Sequence, residues 1–311
     1  MEEILNTRFQ IPKTKKSRKR ECQKRIIKFV KKSTILYSRI IVDNGTQLKE
    51  TITFLGTGGA RFMIISQLLA SGGLWFNFDG TQILMDPGPG CIVQVTKRKL
   101  NPQELSAIIV SHRHLDHSAD VNVMTEAMTD GGFEKRGILF TPRDAIETDS
   151  ILHSYLRKSL EGIEYLEAGK TYSVGNVSFS TPVRHVHMVE NYGLIFKTKK
   201  HTIAYITDTR YFEGLGSYYR GDLLMLNLTF LHARTIQTRP GAPLDHLSEP
   251  DAERLIKEIK PKTAILTHFG MGVWRAKPEV VAAGLTEKTG IKVIAATDGM
   301  VYDLAELDMS S

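Results

Sequence analysis

The chain has 311 residues, of which 41% are hydrophobic and 24% charged, a composition typical of an ordinary folded protein and not of a disordered or fibrous one. No stretch approaches the roughly 20 apolar residues that a membrane-spanning helix needs, and the acidic start MEEILNTRFQ does not resemble a signal peptide. We therefore expect a cytoplasmic protein. The two cysteines, Cys22 and Cys91, are too far apart for a CxxC metal site, so any metal must be held by His and Asp.

The formal charge of +7 is concentrated at the N-terminus, because residues 1–50 contain 14 Lys/Arg against 5 Asp/Glu. We predict a basic arm over residues 1–48, with an amphipathic helix between Ser17 and Lys32, followed by a folded domain over residues 49–311. Two interpretations of the arm stay open. It binds a polyanion such as RNA, DNA or anionic lipid, or it is a solvated leader without a role in the chemistry.

From Thr51 onward, short apolar runs alternate with helical patterns, which predicts an α/β domain. Several predicted strands end in a glycine-rich turn or a polar side chain. These runs are ITFLG before Thr57, QILM before Asp86, AIIVS before His112, IAYIT before Asp208, LLML before Asn227 and AILT before His268. Because α/β folds usually assemble their sites at the carboxyl ends of strands, we expect these polar residues to meet.

The segment His112-Arg113-His114-Leu115-Asp116-His117 places four potential metal ligands within six residues, directly after a predicted strand. Imidazole nitrogen and carboxylate oxygen suit zinc and neighbouring divalent ions when thiolates are absent. Adjacent side chains on so short a loop diverge, so four ligands do not comfortably serve one tetrahedral ion. We therefore predict that the four ligands are divided between two metal sites, each of which is completed by ligands from elsewhere in the chain.

The chain contains, in order, the segment HRHLDH, a downstream His, a predicted strand that ends in TDT and a predicted strand that ends in LTH. With this combination the chain resembles the metallo-β-lactamase superfamily from about Thr51 to the C-terminus. Among its branches the chain is most similar to ribonuclease Z and the related cyclic-phosphate phosphodiesterases. The resemblance implies a four-layer αββα sandwich, a homodimer, and two divalent metal ions, with zinc expected and manganese or iron as alternatives. It also implies the ligands: His112, His114 and His187 for one ion, Asp116, His117 and His268 for the other, and Asp208 bridging them.

Two further positions follow from the same comparison. Asp86, in the turn MDPGPG, matches the family's acidic residue that supports the ligand loop. His187 is preferred to His185 as a ligand because it lies six residues before Gly193, as in ribonuclease Z-like sequences. Residues two apart on a strand face the same side, so His185 stays open as the alternative ligand; otherwise it supports the site or faces the substrate.

His246 precedes a helix for which Ser248 is the predicted N-cap, and it resembles a ribonuclease Z histidine that helps to move protons to the leaving group. The alternative is a loop histidine without a role. In ribonuclease Z an acid partners this histidine, whereas this chain has Asn227, which can orient a histidine but cannot share a proton. Only 21 positions separate His187 from Asp208, which leaves no room for the inserted arm that grips tRNA. These two departures argue against processing of mature tRNA ends.

These observations predict a metal-dependent hydrolase, most simply a phosphodiesterase acting on nucleic acid, a nucleotide or a cyclic phosphate. Asp116 is the predicted ligand that also orients or deprotonates water, and His246 is the candidate general acid. One alternative is hydrolysis of a lactone, thioester or other carboxylic ester on the same scaffold. Another is a non-catalytic protein that binds nucleic acid through its basic arm.

Overall fold

The computed structural model describes residues 49–233 and 245–309, and the predicted arm therefore lies outside the described residues. The segment Leu48–Ser311 forms one compact unit. Its first sheet has seven strands in the order β15-β1-β2-β3-β4-β5-β6. These strands are β1 Thr51–Phe54, β2 Leu74–Phe78, β3 Thr81–Met85, β4 Leu105–Ile109, β5 Ile138–Thr141, β6 Gly162–Tyr165 and β15 Val301–Asp303.

The second sheet has eight strands in the order β14-β13-β11-β10-β9-β8-β7, with the short β12 paired to β11. Its strands are β7 Lys170–Val174, β8 Val177–Thr181, β9 Leu194–Lys197, β10 Thr202–Ile206, β11 Leu223–Phe230, β12 Leu247–Ser248, β13 Thr263–Thr267 and β14 Lys292–Ala295. Strands β10, β11 and β13 are parallel to one another, as are β3 and β4 in the first sheet.

Helices separate many of these strands along the chain. The described α-helices are Arg61–Ser66, Cys91–Lys97, Leu115–Ser118, Val121–Met128, Asp144–Glu147, Ser154–Arg157, Leu215–Tyr218, Glu249–Ile259, Met271–Arg275 and Pro278–Thr289. The helix Glu249–Ile259 begins as the sequence predicts: the Ser248 backbone N–H donates to the Asp251 carboxylate at 2.9 Å, forming a capping box.

Alternation along the strands explains the layering. On β4, Ala107 and Ile109 belong to the core between the two sheets, whereas Ile108 packs with Val121 and Met124 of the outer helix layer. The same division occurs in the second sheet, where β11 directs its odd-numbered apolar residues inward and its even-numbered ones toward the helix Glu249–Ile259. Because both faces of each sheet are covered, the architecture is an αββα sandwich, and the fold prediction is confirmed.

Candidate metal centre

The polar residues that follow the strands meet at one edge of the sandwich. Parallel strands present their carboxyl ends at the same edge of a sheet, so β3 and β4 deliver Asp86 and His112, while β10 and β13 deliver Asp208 and His268. Two of these positions, Asp86 and His268, have left-handed backbone conformations with φ of 52° and 59°. Non-glycine residues seldom adopt this conformation, and such strain concentrates at functional sites.

The first group of potential ligands contains three histidines: His112, His114 and His187. The Nδ1 atom of His114 lies 3.0 Å from Nε2 of His112 and 3.0 Å from Nε2 of His187. Burial lowers the pKa of His114 and that of His187 to about 4, so both imidazoles are neutral at physiological pH and keep a lone pair for a cation. This chemistry suits a metal ion.

The second group contains two carboxylates and two imidazoles: Asp116, His117, Asp208 and His268. The Nε2 atoms of His117 and His268 are 3.0 Å apart, and His268 Nε2 lies 3.3 Å from Asp116 Oδ2. Burial opposes a charge on His117, but the carboxylates of Asp116, Asp86 and Asp208 outweigh it and raise its pKa. The group therefore attracts positive charge, as a cation site must.

Asp208 lies between the two groups. Its Oδ2 atom is 3.3 Å from His117 Nε2 in the second group and 3.9 Å from His112 Nε2 in the first. Its Oδ1 accepts a hydrogen bond from Asn227 at 2.9 Å, whereas the buried Oδ2 makes no hydrogen bond of normal geometry with the described residues and faces imidazole nitrogens, among them His246 Nδ1 at 3.4 Å. A buried carboxylate oxygen without a good hydrogen bond is costly, and a metal ion would compensate it better than these imidazoles do. The donor set and this oxygen thus fit a pair of divalent ions.

Asp86 forms hydrogen bonds with the segment that carries His112 and His117. Its Oδ1 accepts from the Ser111 backbone N–H at 2.6 Å, and its Oδ2 lies 2.9 Å from His117 Nδ1. Holding Nδ1 in this way directs Nε2 of His117 toward the second group. A role for Asp86 as the support of the ligand loop stays a prediction of the family resemblance.

His185 and His187 lie on different sides of the site. His187 contacts His114, while His185 is buried with its Nε2 2.7 Å from the Tyr219 hydroxyl and its Nδ1 3.2 Å from the Asp208 carbonyl oxygen. Neither residue belongs to a named strand, so the two-residue alternation that left both open does not apply. The geometry favours His187 as the ligand, and His185 supports the backbone of Asp208.

His246 lies beside both groups. Its Nδ1 is 3.4 Å from Asp208 Oδ2 and 3.3 Å from the hydroxyl of Thr229. Asn227 does not orient this histidine among the described contacts, because the hydrogen bonds of its side chain are with Asp208 and the Tyr205 hydroxyl. Thr229, two residues further along β11, is nearer the loop that carries His246 and takes that place.

The sequence interpretation missed three contributions to the site. The Thr229 hydroxyl also lies 3.0 Å from His268 Nδ1, the Ala60 backbone N–H donates to Asp116 Oδ2 at 3.0 Å, and Asp298 accepts from the Thr57 backbone N–H at 2.8 Å. A strand-terminal threonine in LNLTF and a TDG turn after β14 were the available signals. Gly59 is required by its surroundings, because a Cβ there would collide with the imidazole of His268.

Within the described residues, no helix is both long and apolar enough to cross a membrane.

A protein-family model described as a β-lactamase superfamily domain matches residues 81–269, more than half of the chain. An uncharacterized protein of Methanocaldococcus jannaschii is 28% identical over 265 residues, which span 83% of this chain and 96% of that protein. Ribonuclease Z of Sulfolobus acidocaldarius is 25% identical over 154 residues, covering 49% of each chain.

Among solved structures, the metallo-β-lactamase fold protein YhfI from Bacillus subtilis superposes with a TM-score of 0.67. The match has 22% sequence identity and covers 82% of this chain and 99% of YhfI, so it shows a shared fold. The matched segment 81–269 contains all seven predicted ligands as well as Asp86 and His246. The chain therefore belongs to the β-lactamase superfamily.

Proposed function

We propose that the protein is a binuclear metal-dependent phosphodiesterase acting on a nucleic acid, a nucleotide or a cyclic phosphate. The observation that carries this proposal is Asp208 Oδ2, a buried carboxylate oxygen that makes no hydrogen bond of normal geometry and lies between the imidazoles of two groups of potential ligands. Similarity to ribonuclease Z supports phosphodiester chemistry, and it covers about half of that enzyme. Zinc is the expected metal, because the ligands are imidazoles and carboxylates; manganese and iron are the alternatives.

In this proposal His112, His114 and His187 hold one ion, Asp116, His117 and His268 hold the other, and Asp208 contacts both. When bound, the two ions activate water near neutral pH and neutralise charge on the phosphate oxygens. The protein must then position the nucleophile and manage two proton transfers. Those tasks fall to Asp116 and His246.

Asp116 orients the attacking water and accepts its proton. The Ala60 N–H holds one of its oxygens at 3.0 Å, which limits rotation of the carboxylate. His246 presents Nδ1 to Asp208 and Thr229, so its Nε2 is the nitrogen that would donate a proton to the leaving oxygen.

A substrate panel tests the reaction class. The purified protein, with its metal content measured by elemental analysis, would be assayed on bis(p-nitrophenyl) phosphate, cyclic nucleotides, single-stranded RNA and a lactone. We expect hydrolysis of at least one phosphodiester and loss of that activity in Asp116→Asn. Turnover of the lactone without any phosphodiester would support the carboxylic ester alternative instead.

The acid assignment has its own test. His246→Ala should slow hydrolysis of esters with poor leaving groups by about 100-fold or more and p-nitrophenyl esters far less, since p-nitrophenolate needs little protonation. The metal content should not change. His153→Ala, which alters an exposed histidine in another segment, is the matched control. Full activity of the His246 variant on poor leaving groups would exclude the assignment.

We further propose that residues 1–48 form a basic arm distinct from a hydrolase domain over residues 49–311, and that the arm binds a polyanion. The support is its charge alone. Comparing salt-dependent binding of single-stranded RNA and DNA by the full chain and by residues 49–311 tests it. Equal binding by the two would leave the arm without this role, whereas binding without any hydrolysis would favour the non-catalytic alternative. A homodimer stays a prediction of the family resemblance.

A further inference from the structure

Four large apolar side chains in segments that adjoin the candidate metal centre are exposed to solvent. Phe62 is 75% exposed, Ile65 79%, Leu115 72% and Met188 51%. We call these four residues the apolar rim. Single exposed apolar residues are common on protein surfaces, but several around one polar site indicate a surface that a ligand covers.

The rim belongs to three segments that each adjoin a predicted ligand. Leu115 lies between His114 and Asp116, and Met188 directly follows His187. The helix Arg61–Ser66 begins one residue after Ala60, whose N–H donates to Asp116 Oδ2, and it buries only Met63. Phe62 and Ile65 are therefore exposed to solvent and lie two and five residues after Ala60, which contacts the predicted ligand Asp116.

Positive charge beside the centre is largely neutralised within the protein. The Arg113 guanidinium pairs with Asp144 at 3.0 Å and with Asp149, and Arg210 Nε lies 3.8 Å from Asp245. Proteins that follow a polynucleotide backbone instead present rows of unpaired Lys and Arg. On the rim helix, Arg61 is exposed and has no ion pair among the described residues, which suits a single phosphate charge.

We propose, building on the proposed phosphodiesterase function, that the substrate is a small phosphodiester with an apolar aryl or alkyl substituent that packs on the apolar rim. The scissile phosphate lies at the candidate metal centre. The substituent extends outward from the centre and covers Phe62 and the other residues of the apolar rim. A long polynucleotide is the alternative that the test must separate. Covering one large apolar side chain corresponds to about 10-fold in affinity.

Two phosphodiesters of the same charge provide the test. Diphenyl phosphate and dimethyl phosphate would be titrated by calorimetry into the metal-loaded full chain and into two variants. Phe62→Ser shortens the rim, and Phe133→Ser alters a phenylalanine that is 91% exposed in another segment. We expect diphenyl phosphate to bind about 10-fold or more tightly than dimethyl phosphate, with this preference reduced in Phe62→Ser and unchanged in Phe133→Ser. Thermal unfolding would verify that both variants fold.

Several results would overturn the inference. These are equal binding of the two phosphates, no binding of either, an unchanged preference in Phe62→Ser, or displacement of bound diphenyl phosphate by a single-stranded oligoribonucleotide. Failure of the proposed function gives a different result. In that case the aryl preference and its loss in Phe62→Ser would be observed, but no phosphodiester would be hydrolysed.

Discussion

The two groups of potential ligands differ in charge and in support. The first consists of three neutral histidines, of which only His112 is fully buried. The second has two carboxylates and is largely buried, with Asp86 behind His117 and Thr229 behind His268. More negative charge and more fixed ligands both favour a divalent cation. We therefore expect the second group to bind its ion more tightly and the first to exchange its ion more readily.

Removing Asp208, the carboxylate that the two groups of potential ligands share, should have the largest effect on metal content and turnover. We expect Asp208→Ala to lose most of both ions and to lower turnover on the order of 1,000-fold, because the ligand sets lose their common member. Elemental analysis and steady-state assays measure these effects. Glu161→Ala, at an exposed carboxylate in another segment, is the control. Retention of two ions by the Asp208 variant would contradict the assigned bridging role.

A change behind the second group should separate the two sites. Asp86→Asn keeps an acceptor for the Ser111 N–H but removes the charge beside His117 Nδ1. We expect metal affinity of the second group to fall by about 10- to 100-fold and that of the first group to fall less, because Asp86 reaches His112 only through the Ser111 hydroxyl. Competition with a chelator, followed for each ion, measures this. If both ions weakened equally, the two groups would not be independent in the way that their supports indicate.

Substitutions of His185 and His187, which lie two residues apart, should have the smallest effects and distinguish a metal ligand from a structural histidine. His187→Ala should lose the ion of the first group with little change in the free energy of unfolding of the metal-free protein. His185→Ala should keep both ions but lower that free energy by about 1–3 kcal/mol, because the buried Tyr219 hydroxyl loses its hydrogen bond with the imidazole. Metal analysis and urea unfolding test the pair. Loss of metal in His185→Ala alone would reverse the two assignments.

Local patterns were enough to predict much of this protein. The alternation of apolar runs with helical segments predicted an α/β domain, since burial on both faces of a strand makes it continuously apolar, and the family resemblance implied the αββα sandwich. HRHLDH predicted a metal centre because four ligands in six residues need no knowledge of the rest of the chain. The Ser248 cap was equally predictable, because capping depends on residues within one helical turn.

Contacts between distant residues depended on the tertiary structure. Ala60 meets Asp116 across 56 positions because both follow strands of the first sheet, β1 and β4. His117 meets His268 across 151 positions because the packing of the two sheets brings their strand ends together. That packing also turned His185 away from the first group, paired Asn227 with Asp208 and placed Thr229 beside two histidines. The sequence by itself determined which residues could serve as ligands and where the strands run. Only the tertiary structure decided which atoms face one another, since side-chain direction at a strand end follows from the loops and sheets around it and not from the residue's own neighbours.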